Sequence, residues 1–77
     1  MSETISQKEI AGNLDSAAMR AGENAASRKQ VWFLAGLMLR LGEDGNDMLL
    51  DGTRLTKRLA SELIDTALST LRVREAA

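Results

Sequence analysis

The stretch Val31-Trp32-Phe33-Leu34-Ala35-Gly36-Leu37-Met38-Leu39-Arg40-Leu41 is apolar except at Gly36 and Arg40. The run is well short of the roughly 20 residues a bilayer-spanning helix needs. The whole chain lacks Pro, is rich in Leu and Ala and carries one Trp and one Phe, so its composition is helical. A helix that is apolar nearly all round is buried on several sides. In a small bundle few elements are available to cover it. The run is therefore either the central helix or, in part, an oligomer interface. Trp32 and Phe33 hold all the aromatic content and read as core side chains or as anchors of a protein interface, where Trp is over-represented. Leu37 belongs with them.

On the N-terminal side, Ser27-Arg28-Lys29-Gln30 has the S-x-x-Q capping form and opens this helix at about residue 27. Gly22-Glu23-Asn24 before it leaves two readings: a break after about residue 21, or one continuous helix from Gln7 to Leu41. The earliest start signal is Ser6-Gln7-Lys8-Glu9, a capping box, with Ile5 and Ile10 at the hydrophobic-staple positions. The first helix then covers about residues 7–21. Its apolar face (Ile10, Leu14, Ala17, Ala18, Ala21, Ala25) is mostly small, so a neighbouring backbone can come close.

On the C-terminal side, Gly42-Glu43-Asp44-Gly45-Asn46-Asp47 is a turn cluster. Met48-Leu49-Leu50 and Asp51-Gly52 follow. Either they form a small hairpin with Thr53–Leu55, or Met48–Leu50 is a turn plugging the core, with Asp51 or Thr53 capping the next helix. That helix, about residues 53–74, has the cleanest period. Leu55, Leu59, Leu63, Ala67 and Leu71 recur every four residues, beside Ala60, Ile64 and Leu68. Residues 1–77 read as one all-α domain: a small antiparallel bundle of two or three helices, completed by dimerisation, with Leu59 and Leu63 as further core or dimer anchors. Met19, Met38 and Met48 are expected to fill gaps in the core.

The rest of the composition excludes chemistries. Without Cys there is no disulfide or thiolate, and without His the commonest general base and imidazole ligand are missing. The six glycines are dispersed and form no phosphate loop, and no nucleophile sits with an orienting base in a recognisable pattern. No enzymatic activity, cofactor or metal is expected. An EF-hand register from Asp44 fails, with Met48 and Leu49 where an acid or amide and a glycine are required. No leader-like segment precedes the first helix, and neither apolar segment suits a membrane surface, so a cytoplasmic protein without membrane contact is expected.

Charge nearly cancels overall, at a formal −1, but it is segregated. Glu43, Asp44, Asp47 and Asp51 form an acidic turn, and Arg54, Lys57 and Arg58 a basic cluster just after it. The two patches either neutralise each other or contact an oppositely charged partner, giving steering and specificity.

Ile5-Ser6-Gln7-Lys8-Glu9-Ile10-Ala11-Gly12-Asn13-Leu14 resembles the first helix of repressor-type helix-turn-helix domains, with Ala11 and Leu14 as the small and large apolar positions. The resemblance covers about ten residues. It implies a DNA-binding regulator, but Asp15-Ser16-Ala17-Ala18-Met19 replaces the glycine turn and the polar, basic recognition helix. Phosphate contacts then fall to Arg28, Lys29, Arg54, Lys57 and Arg58. The expectation that fits best is a protein-binding regulator or inhibitor of phage or plasmid type, acting by surface occlusion, as anti-CRISPR proteins do. Glu43, Asp44, Asp47, Arg54, Lys57 and Arg58 are its candidate contacts. A DNA-binding regulator and a purely structural homo-oligomeric module are the alternatives.

Overall fold

A computed structural model describes residues 5–76, and all its regular elements are helical. Four α-helices pack together: α1 (Gln7–Met19), α2 (Arg28–Leu41), α3 (Asn46–Leu50) and α4 (Lys57–Ala76), with a single 3-10 turn at Gly22–Asn24 between α1 and α2. The architecture is all-α, with one more helix than the two or three expected.

Capping sets the starts. The Ser6 hydroxyl accepts from the Glu9 amide at 3.2 Å. At Ser27 the box is complete: the Gln30 amide donates to Ser27 Oγ at 3.1 Å, and the Ser27 amide donates to Gln30 Oε1 at 3.0 Å. The break reading of residues 22–24 is the observed one. Gly22 takes a φ of 60°, in the left-handed region that a side chain resists. Gly42 ends α2 at φ 78°, with its own amide on Leu39 O and the Glu43 amide on Met38 O. That is the double bond of a Schellman cap.

Residues 48–55 form no hairpin. Met48–Leu50 closes the short helix α3, whose last carbonyls receive the Arg20 guanidinium at 3.2 Å (Met48 O and Leu49 O). Neither Asp51 nor Thr53 caps α4. Thr56 does, accepting the Leu59 amide at 3.0 Å. Leu55 therefore lies ahead of the helix in a tight turn closed by the Thr56 amide on Arg54 O at 3.1 Å, with its own amide on Ala17 O and its carbonyl on the Ala26 amide, both at 3.0 Å.

The helices are not a simple antiparallel set. Gln30 Nε2 donates to Lys57 O at 3.2 Å near the starts of α2 and α4, and Arg40 meets Glu75 at 2.6 Å near their ends. These two helices run in the same sense, and residues 42–56, with α3, carry the chain back between them. α1 packs on α2 and α3.

The main core joins Ile10, Leu14 and Ala17 of α1, Leu34 and Ala35 of α2, Leu55, and Ala60 of α4, all at most 1% exposed. Leu59, Leu63, Ile64 and Met48 pack partly buried against it. A second, smaller cluster unites Leu37 with Ala67 and Leu71. Met38 is buried as expected of a gap-filler, but Met19 is 81% exposed and fills nothing. Trp32 and Phe33 are not core side chains either: they are 52% and 49% exposed. α2 buries one broad face (Val31, Leu34, Ala35, Leu37, Met38) and turns its aromatic residues to solvent. No described helix is long and apolar enough to cross a membrane.

Candidate functional site

Two surface features converge. The first is the basic end of the molecule. α2 starts with Arg28 and Lys29, α4 starts with Lys57 and Arg58, and Arg54 precedes it; all five are exposed. The two segments are more than twenty residues apart in sequence, yet the Gln30–Lys57 hydrogen bond and the Ala26–Leu55 backbone bond bring the helix starts side by side. Two helix N-termini, each carrying positive partial charge, thus sit together among five cations. Glu23 shares a shallow depression with Asn24, Thr56, Lys57 and Arg58, and Arg58 pairs with Glu62 at 3.6 Å.

The second feature is the outer face of α2. Trp32 and Leu39 are seven residues apart, two helical turns, and so share that face. With Phe33, Gly36, Lys29 and Arg40 they line an open depression. Gln7 borders it and donates from Nε2 to Trp32 O at 2.9 Å, which ties the start of α1 to this turn of α2. A Cβ at Gly36 would come 2.9 Å from that same Gln7 nitrogen, so the glycine makes room for the tie. The depression has two cations in its lining and no carboxylate. Arg28 and Trp32 also line an adjoining hollow with Asp15, so the aromatic face runs on from the basic end.

The acidic candidates lie elsewhere. Glu43 and Asp44 follow α2, whose 14 residues place them about 21 Å along the axis from its basic start. Asp44 holds the turn: its Oδ1 accepts the Asn46 amide at 2.9 Å, and its carbonyl accepts Asn13 Nδ2 at 2.8 Å. Asp47 and Asp51 are exposed on and after α3. Among the described residues no ion pair links this turn to Arg54, Lys57 or Arg58; the pairs are Arg40–Glu75 and Arg58–Glu62. No group of three or more acidic side chains is placed to hold a metal ion among the described residues.

Of the expected anchors, Trp32 and Phe33 face solvent, Leu37 is buried in the second cluster, and Leu59 and Leu63 support the main core. Leu63 also lines a cleft of about 220 Å³ between α2, α3 and α4, with Leu34, Met38, Met48, Ala67 and two charged residues, Glu43 and Arg74. That is below the roughly 300–1,000 Å³ of a small-molecule pocket. Leu39 and Leu50, 37% and 76% exposed, were not among the expected contacts. Its seven-residue spacing to Trp32 puts Leu39 on the same side of α2, but the apolar run does not show that this side is the exposed one. Leu50 had no such signal, because α3 is too short to show a period.

Compared with known proteins, the sequence matches no family model, and no curated protein and no solved structure matches it.

Proposed function

We propose that this chain is a non-enzymatic protein-binding regulator or inhibitor that works by covering a functional surface of a larger macromolecular partner. One observation carries the reading. The two aromatic side chains of the chain and five of its ten Lys and Arg residues meet on one solvent-facing end and its adjoining face. Half-exposed Trp and Phe beside exposed cations are the ingredients of an interface with an apolar centre and a charged rim. The cations steer an acidic partner, and the aromatic rings supply affinity once water is expelled. The reading places the protein in the cytoplasm and includes self-association through the Trp32–Phe33 face, which would bury an apolar patch that a lone chain leaves wet.

Pull-down from a lysate with wild-type protein and with the Lys57→Glu/Arg58→Glu variant tests it. One stoichiometric protein partner held by the wild type and lost by the variant is the expected result. A wild type that retains no protein contradicts the reading.

The paired helix starts favour a second reading, in which the same five cations contact nucleic-acid phosphates. Duplex DNA should then bind at about 50 mM salt and dissociate steeply as salt rises. Absence of a gel shift at that salt removes this alternative. α2 itself differs from a recognition helix, since its exposed face carries Trp32, Phe33 and Leu39 rather than polar base-reading side chains.

A further inference from the structure

The proposed self-association leaves open which surface of the second copy meets the Trp32–Phe33 face. We infer that the occupant is the acidic α3 turn of a second copy, docked head-to-tail with Leu50 in the depression between Lys29 and Arg40. The inference rests on the self-association reading and goes beyond it by naming the opposing surface.

The argument is complementarity within one chain. The receiving face is apolar at Trp32, Phe33 and Leu39, and its charged lining is cationic. A symmetric contact, in which this face meets itself across a two-fold axis, sets the cationic lining of one copy against the cationic lining of the other, Lys29 towards Arg40, and leaves the acidic turn without a partner. Leu50, 76% exposed, is the apolar side chain that lies among the acidic residues of the turn. Asp47 and Asp51 stand three residues before and one after it. At this spacing Asp47, Leu50 and Asp51 share one side of the helical turn. An apolar tip between two carboxylates thus faces an apolar depression between two cations. Arg40 is paired with Glu75 at 2.6 Å, whereas Lys29 and the acidic turn make no ion pair among the described residues, so Lys29 is the cation left for the turn's carboxylates.

α3 is also held firmly enough to act as a plug. Arg20 fixes its last carbonyls, and the Asn13–Asp44 bond fixes its entry. Gly45, buried against Met38, Asn13 and Leu14 at φ 78°, turns the chain into it. Because each copy carries both surfaces at different places, the contact does not close on itself at two chains. The mean mass should keep rising with concentration.

Sedimentation velocity over a concentration series from about 1 μM to about 1 mM, the range for a small interface, reads the outcome. Wild-type protein is expected to grow past the dimer, and less so at high salt. Trp32→Ala and Leu50→Lys, both at exposed positions, are each expected to stay monomeric when alone, with unchanged circular dichroism. Mixed one to one they are expected to form a heterodimer and stop there, since one intact surface remains on each. If Leu50→Lys still dimerises like the wild type while Trp32→Ala does not, the contact is symmetric: the head-to-tail inference is overturned and self-association stands. If wild type stays monomeric throughout, both fail.

Discussion

The two hydrophobic clusters of this chain differ in kind. The main one closes around Ile10, Leu14, Leu34 and Leu55, whose side chains are all but removed from water and come from three separate parts of the sequence. The second joins Leu37 to Ala67 and Leu71 along the latter half of α4, with Ile64, Leu41 and Leu68 only partly covered. α4 is the longest helix, at 20 residues, and has the most regular period, yet it buries only Ala60, Ala67 and Leu71. Periodicity reports which residues share a face. Burial depends on how many other elements reach that face. α1, α2 and the Leu55 segment all converge on the first cluster, whereas little but α2 reaches the second.

The sharpest way to break this comparison is truncation in each cluster. Leu34→Ala removes a side chain that is 1% exposed and packed in the main core, so a loss of about 3 kcal/mol is expected. For a chain of this size that lowers the melting temperature by roughly 12–24 °C. Leu71→Ala opens a site already bordered by solvent, and about 1–2 kcal/mol is expected. Paired thermal melts check the order. Equal losses would mean that the second cluster is as tightly packed as the first.

A smaller effect separates the two Ser caps. Ser27 and Gln30 make both bonds of the box, whereas at Ser6 the hydroxyl-to-Glu9 bond is the one present. A Ser→Ala change removes one hydroxyl acceptor at either cap, about 1 kcal/mol each, so the difference lies in the partner: Gln30→Ala should cost about 1 kcal/mol more than Glu9→Ala, because Gln30 Oε1 also accepts from its cap amide. Urea titration of the two variants measures the difference. The sequence alone pointed the other way, because Ser6-x-x-Glu9 has the stronger-looking signature, with its staple of Ile5 and Ile10. Which partner completes a box is decided by side-chain rotamers, and the letters do not carry them.

The same limit explains what was legible elsewhere. The all-helical class and the turn at residues 42–45 follow from local chemistry, since glycine takes the left-handed conformation at both ends of that turn. The sense of α2 against α4 does not, because it depends on the path of residues 42–56, and a five-residue helix leaves no periodic trace. Leu55 shows the problem in one residue. It fits the four-residue row of α4 and is fully buried, but it reaches the core from a tight turn ahead of the helix, held by Ala17 and Ala26. For the candidate site, the five cations could be named from the sequence, and their meeting at one end could not. The uniformly apolar Val31–Leu41 run hid which of its sides is wet.

That wet side supplies the smallest expected effect on stability. Trp32→Ala removes the largest side chain in the protein, and by size alone it ought to rival Leu34→Ala. Half of the indole already faces water, however, and the only bond it adjoins, Gln7 Nε2 to Trp32 O, uses the backbone carbonyl and survives the change. A loss within about 0.5 kcal/mol is expected, as at other surface positions. A thermal melt that falls as far as that of Leu34→Ala would place Trp32 in the core and remove the aromatic face from the interface. A melt close to wild type, together with lost self-association, would show that the aromatic content of this chain is spent on contact with another surface and not on holding its own fold.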